Sequence, residues 1–201
     1  MALTTPALAA GFAKLGPFME GAADELNGLD AQIGDGDLGV TMVRLTRSIA
    51  EVLDDLPEDV GMALLKCMQA ITKASGSSYA TLVASAVMSA AKACKGKTEV
   101  PWDETSALLG GAVEALKARG KAELGDKTVI DAVEAARAAT EGLSDPAEIL
   151  AAAGKAVNET IEAFRDKPNR VGRARIWAEK SVGLDDPGMV GFRRMIDGLA
   201  G

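Results

Sequence analysis

Histidine is absent from the chain altogether, and that removes several chemistries at once. No Ser-His-Asp or Cys-His pair can form within it, no imidazole can act as a general base, and none can ligate a metal. Aromatic residues make up only 3% of the sequence, so alanine, leucine and valine must fill the core, and such small side chains let helices approach closely. Cysteine is scarce too. Cys67 and Cys94 stand alone in apolar helical patterns, without C-x-x-C spacing, and read as buried free thiols of a reducing compartment. Nowhere do 18 consecutive apolar residues occur, and the opening MALTTPALAAGFAK has neither a basic start nor a long apolar run. The expectation is a cytoplasmic protein with no membrane span. Basic residues are outnumbered, 22 against 29 acidic, for a net charge of -7. That balance argues against nucleic acid and against an anionic membrane surface, since both need local positive charge and the one basic cluster, 165–175, is short.

A length of 201 residues suits one core, and the chain is read as a single domain, 1–201. Apolar residues recur at helical spacing, as in Val60, Leu64, Cys67, Met68 and Ile71, or Ile149, Ala153, Val157, Ile161 and Phe164. No segment alternates with period two. Thr5-Pro6 and Asp145-Pro146, the latter with Glu148, read as helix starts. Helices are expected near 6–27, 39–55, 58–73, 77–95, 103–119, 127–141, 146–165, 170–182 and 188–199. The unusual residues fall on the connections, at 30–39, 73–78, 120–128 and 182–188, which points to a site built at helix ends.

The first of these loops, LDAQIGDGDLGVTM at 29–42, gathers Asp30, Asp35 and Asp37 within eight residues. Gly34-x-Gly36-x-x-Gly39 matches the dinucleotide fingerprint, but a helical pattern precedes it where that motif needs a strand, and two carboxylates would repel a phosphate. An EF-hand fails because Thr46 stands where the bidentate glutamate belongs. The stretch GKAELGDKT resembles a Walker loop, yet Asp126 separates Gly125 from Lys127. Two readings stay open. Three carboxylates on a glycine-rich turn suit a hard cation such as magnesium, which binds through carboxylates, water and phosphate oxygens. The same residues also suit a plain solvated turn.

The loop set as a whole resembles one family, the nucleotide-binding L subunit of dihydroxyacetone kinase and the equivalent domain of single-chain dihydroxyacetone kinases. The motifs are LDAQIGDGDLGVTM at 29–42, KASGSSYA at 73–80, RGKAELGDKTVIDA at 119–132 and GRARIWAEKSVGLDDPG at 172–188. The resemblance implies an all-α fold, an antiparallel eight-helix barrel or bundle with ADP or ATP held at one end through two magnesium ions. It places the metal ligands on Asp30, Asp35 and Asp37. It places nucleotide contacts on Leu38, Gly39, Thr41, Met42, Ser75, Gly76, Gly120, Thr128, Arg173, Asp186, Pro187 and Gly188. Lys127 invites comparison with the phosphate-binding lysine of other kinases, and a structural salt bridge is an equal reading of it. Two departures from the family pattern are visible: Leu38 and Leu184 stand where histidines are usual.

The implied activity is that of a phosphotransferase active only with a partner. This chain would hold the nucleotide, a separate K subunit would hold dihydroxyacetone or a related short keto-sugar, and the phosphoryl group would pass between them. A phosphotransferase-system protein is a further expected partner in the branch where ADP stays bound. The rival reading, motivated by Leu38 and Leu184, is a non-catalytic nucleotide-binding regulator docked on a K-like subunit or a transcription factor.

Overall fold

Thr4, one residue earlier than the sequence pattern indicates, caps the first helix. Its Oγ1 accepts the Ala7 N–H at 3.4 Å, while Thr5 turns inward and donates its hydroxyl to the carbonyls of Pro57 and Glu58. The structure, a computed structural model, describes residues 2–201 apart from the Arg173 side chain, so the contact expected of Arg173 lies outside the described residues. Helix α1 (Thr5–Ile33) is followed by α2 (Leu38–Ala50), α3 (Val60–Ala74), α4 (Ser78–Ala93), α5 (Thr105–Gly120), α6 (Val129–Ala139), α7 (Pro146–Phe164) and α8 (Pro187–Ala200). Each packs on the next, and α8 returns to α1. The result is a closed, antiparallel ring of eight helices.

Three expectations are corrected. Helix α1 runs six residues beyond 27, because Leu26, Leu29 and Ile33 continue its inward stripe, and Asp30 therefore rides on the last helical turn rather than on a loop. The segment expected as a helix at 170–182 is a 3-10 stretch, Arg173–Ser181, broken at Trp177. Its run RARIWAEKS is charged and, among its described side chains, buries only Ser181 fully, so no apolar stripe holds a regular α-helix there. Two strands of two residues, β1 (Ala2–Leu3) and β2 (Val100–Pro101), pair antiparallel, and pieces that short have no alternation to display.

The core is aliphatic and sulfur-rich, centred on Met19, Leu26, Met42, Val157 and Met189 with Ala132 and Ala136 between them. Small residues set the spacing as the composition demands. A Cβ on Gly39 would lie 2.1 Å from the Ala23 carbonyl oxygen, so glycine is what lets α2 rest directly on α1. Cys67 and Cys94 are free and buried, and burial pushes both thiols up, Cys67 to about 11. Among the described residues no helix is long and apolar enough to cross a membrane.

Candidate metal and nucleotide site

Because the helices alternate in direction, the even-numbered ones all begin at the same end of the ring. The starts of α2, α4, α6 and α8 and the ends of α1 and α5 line one cavity of about 230 Å³. Four helix N-termini carry four partial positive charges to that end. Three are closed by side chains. Ser77 Oγ accepts the Ala80 N–H at 3.1 Å. Thr128 Oγ1 accepts the Ile130 N–H at 3.2 Å, and Asp186 Oδ1 the Met189 N–H at 2.9 Å. Helix α2 is closed from the neighbouring helix instead, for Asp37 at its cap position makes no capping bond with its side chain and Asn27 Oδ1 on α1 accepts the Val40 N–H at 3.2 Å. The four starts together favour an anion at this end of the ring.

The three aspartates sit at this mouth. One carboxylate oxygen from each of Asp30, Asp35 and Asp37 lies within 4.8 Å of the others. The turn that achieves this depends on Gly34, where a Cβ would fall 2.1 Å from Asp30 Oδ1, and on Gly36 in the left-handed region at φ 75. Asp30 Oδ2 also accepts the Asp37 N–H at 3.0 Å, which locks the turn to α1. Like charges this close repel, and a divalent cation with oxygen preference fits the donor set.

The opposite wall is assembled from α4, α6 and α8. Tyr79 donates its hydroxyl to the Gly188 carbonyl at 3.1 Å, and burial drives its pKa upward. Asp186 is raised to about 6, chiefly by burial, against the opposing pull of the Met189 N–H, the Asn169 amide and Lys127. Thr128 belongs to a capping box in which Asp131 Oδ2 accepts the Thr128 N–H at 2.9 Å.

Of the expected site residues, Asp30, Asp35, Asp37, Leu38, Thr41, Gly120, Thr128, Asp186, Pro187 and Gly188 line the cavity together. Four others do not. Gly39 is covered by α1, and Met42 is 1% exposed in the core one turn deeper. Ser75 ends α3, its hydroxyl accepting the Ser77 N–H, and Gly76 is exposed in open space. Their places in the lining are taken by Ser77, Ser78 and Tyr79 at the start of α4. Helix spacing in SSYATLVASAV carries that signal, since it sets Leu82 one turn below Ser78 and Tyr79 on the same face. Ile130 and Val171, the apolar part of the lining, are indistinguishable in sequence from core residues. Trp177 does not line the cavity; it is 40% exposed under the Lys180 ammonium. Lys127 is also outside it, and its ammonium meets backbone carbonyls.

Comparison with known proteins now bears on this geometry. The DAK2 domain family profile matches residues 32–201. The chain belongs to the DAK2 domain family. It is 33% identical over 181 residues to a protein of Listeria innocua named PEP-dependent dihydroxyacetone kinase 2, ADP-binding subunit DhaL, covering 87% of this chain and 83% of that one. The corresponding Escherichia coli subunit is 29% identical, with 93% of this chain and 91% of the relative covered. The fold matches the dihydroxyacetone kinase from C. freundii solved in complex with AMP-PNP and Mg2+, at TM-score 0.76 and 24% identity, over 100% of this chain. This chain spans 34% of the length of that larger kinase.

Proposed function

We propose that residues 1–201 form one nucleotide-binding domain and that the chain is the L subunit of a kinase for dihydroxyacetone or a related short keto-sugar. The observation that carries this reading is the aspartate cluster beside the start of α2, at the mouth of a cavity ringed by helix N-termini. A cation held by the three carboxylates would sit where a polyphosphate enters, and the α2 N-terminus would receive a phosphate. Membership of a family with a relative named as an ADP-binding kinase subunit supports it.

Charge counting favours two magnesium ions. Three carboxylates with one divalent cation keep a net charge of -1 and repel a nucleotide; with two they reach +1 and attract it. When bound, the metal screens charge that accumulates on a transferring phosphoryl group. The chain's own residues supply position. Asp30 fixes the turn through the Asp37 N–H, and Tyr79, Ile130 and Val171 form an apolar wall suited to a base. Histidine is missing throughout, so a covalent or acid–base step belongs to the partner subunit that carries the sugar. A phosphotransferase-system protein is the donor that fits a subunit keeping its ADP, and a cytoplasmic setting fits two free, buried thiols.

Calorimetric titration of ADP and of ATP, with magnesium and then with EDTA, tests the site. Magnesium-dependent binding is expected, and phosphoryl transfer to dihydroxyacetone once a K subunit is added. Failure of both nucleotides to bind would sink the reading and leave a docking protein in its place.

A further inference from the structure

Lys127 heads the large side chains of the interior at 0% exposure, and it does not line the cavity. Its Nζ donates to the carbonyl oxygens of Arg165, Lys167 and Ser181 at 3.0, 2.7 and 2.8 Å. An ammonium has three N–H groups, so this arrangement uses all of them, which offsets part of the cost of burial that lowers the pKa of this lysine. The lysine backbone lies at φ 61, a left-handed conformation that glycine or asparagine adopts with less strain. The turn therefore does not explain the residue type; the side chain does.

The three carbonyls belong to the two feet of the segment 170–182, which connects α7 to α8 beside the cavity. Other bonds join the same feet. Asn169 N donates to Ser181 Oγ at 2.8 Å, and Gly183 N to the Arg165 carbonyl at 2.8 Å. The loop carrying Lys127 adds two more, from Arg170 N to the Asp126 carbonyl at 3.1 Å and from Asn169 Nδ2 to the Lys127 carbonyl at 2.7 Å. Between the feet, Val171, Gly172 and Ala174 line the cavity, whereas Ile176 is 78% exposed. The middle of the segment meets α1, and Val171 packs on the apolar cluster around Val129 and Ile130, while its two ends are tied by the bonds above.

We propose that Lys127 is a positioning residue that seats the segment 170–182 on the nucleotide pocket, acting through three backbone carbonyls without touching the ligand. This rests on the nucleotide reading given above. Release of the nucleotide past Val171 and Ala174 then requires the feet to part, and the ammonium, with three of the bonds between them and the Lys127 loop, is the largest single tie to break.

Lys127→Met keeps the length of the side chain and removes every donor. In the ligand-free protein, amide hydrogen exchange is expected to quicken about tenfold or more within 168–184 while α1 to α5 keep their protection. With magnesium present, stopped-flow release of a fluorescent ADP analogue is expected to quicken by about tenfold, with the association rate unchanged. A merely structural role would lower protection throughout and leave no such split between the two rates. Ser181→Ala removes the Asn169 to Ser181 link together with the bond from Ser181 Oγ to the Ala178 carbonyl, is expected to move both readouts the same way by less, and carries the test if Lys127→Met does not fold. Unchanged exchange in 168–184 overturns the seating role, and faster exchange with unchanged release overturns its link to the ligand. A parent chain that binds no magnesium nucleotide overturns the proposed function and the ligand half of this inference together, whereas the exchange arm still decides the tether.

Discussion

Asp30 already serves the fold, since its Oδ2 accepts the Asp37 N–H, whereas the Asp37 carboxylate makes no capping bond for α2. The two should respond differently to neutralisation. Asp37→Asn is expected to weaken magnesium-ADP binding on the order of 100-fold, about 3 kcal/mol, and to leave the metal-free melting temperature unchanged or higher because one repelling charge is gone. Asp30→Ala should weaken binding too and in addition cost about 1–3 kcal/mol of metal-free stability, since a charge-assisted bond is lost. Calorimetry and melting curves on the same two variants check both halves; a large metal-free loss for Asp37→Asn would make that residue a structural cap. Asp186 supplies a pH signature. Its native pKa, about 6, lies above its ordinary value of 3.8, so between those limits the folded state binds more protons than the unfolded one. Stability should therefore fall as pH rises from about 4 to 6, by up to about 3 kcal/mol for a shift of two units, and then level. Urea unfolding across that range measures it, and Asp186→Asn should flatten the Asp186 contribution.

At the scale of single elements, the start of α6 shows how a cap and a site residue coincide. Thr128 Oγ1 accepts the Ile130 N–H, and Asp131 takes both the Thr128 and Gly125 N–H groups. Capping the helix uses one lone pair of the Thr128 hydroxyl and does not consume its proton, so the same group can cap α6 and donate to a ligand. Thr128→Ala is expected to cost about 1 kcal/mol, a fall of about 2–4 °C in melting temperature for a chain of this size, and Thr128→Ser much less. Equal losses for the two would show the methyl group, not the hydroxyl, to matter. Elements were also where the sequence was most legible. Eight of the nine expected helices are present, read from inward stripes such as Val60, Leu64, Cys67 and Ile71, because burial of one face and helical period are the same fact. The 3-10 stretch 173–181 was not legible, as its helical-looking composition lacks a stripe, and what holds it comes from Lys127, distant in sequence. Of the candidate site, the DGD turn and the D-P-G start of α8 were readable because glycine, proline and carboxylates mark them. Ile130 and Val171 were not, since a pocket wall and a core are built from the same apolar vocabulary, and only the closed ring decides which side a residue faces.

The ring as a whole creates an electrostatic asymmetry that no single helix has. Four N-termini meet at one end of a chain with net charge -7, and the negative charge nearest to them is concentrated in three aspartates. A nucleotide approaching without metal meets those carboxylates before it meets the helix ends. With metal, the same carboxylates become part of a cationic mouth, and ligand binding should tie α1, α2, α4, α6 and α8 together in one event. Because ligand that binds only the native state stabilises by mass action, magnesium plus ADP at 100 times Kd should add about 2.7 kcal/mol. For a protein of this size that is a rise of about 5–11 °C in melting temperature. ADP with EDTA should give none of it, and magnesium alone only a small part. Differential scanning calorimetry of the four conditions decides the matter. A rise with ADP that survives EDTA would show that the helix N-termini bind phosphate without the aspartates and would assign the cluster to the turn alone.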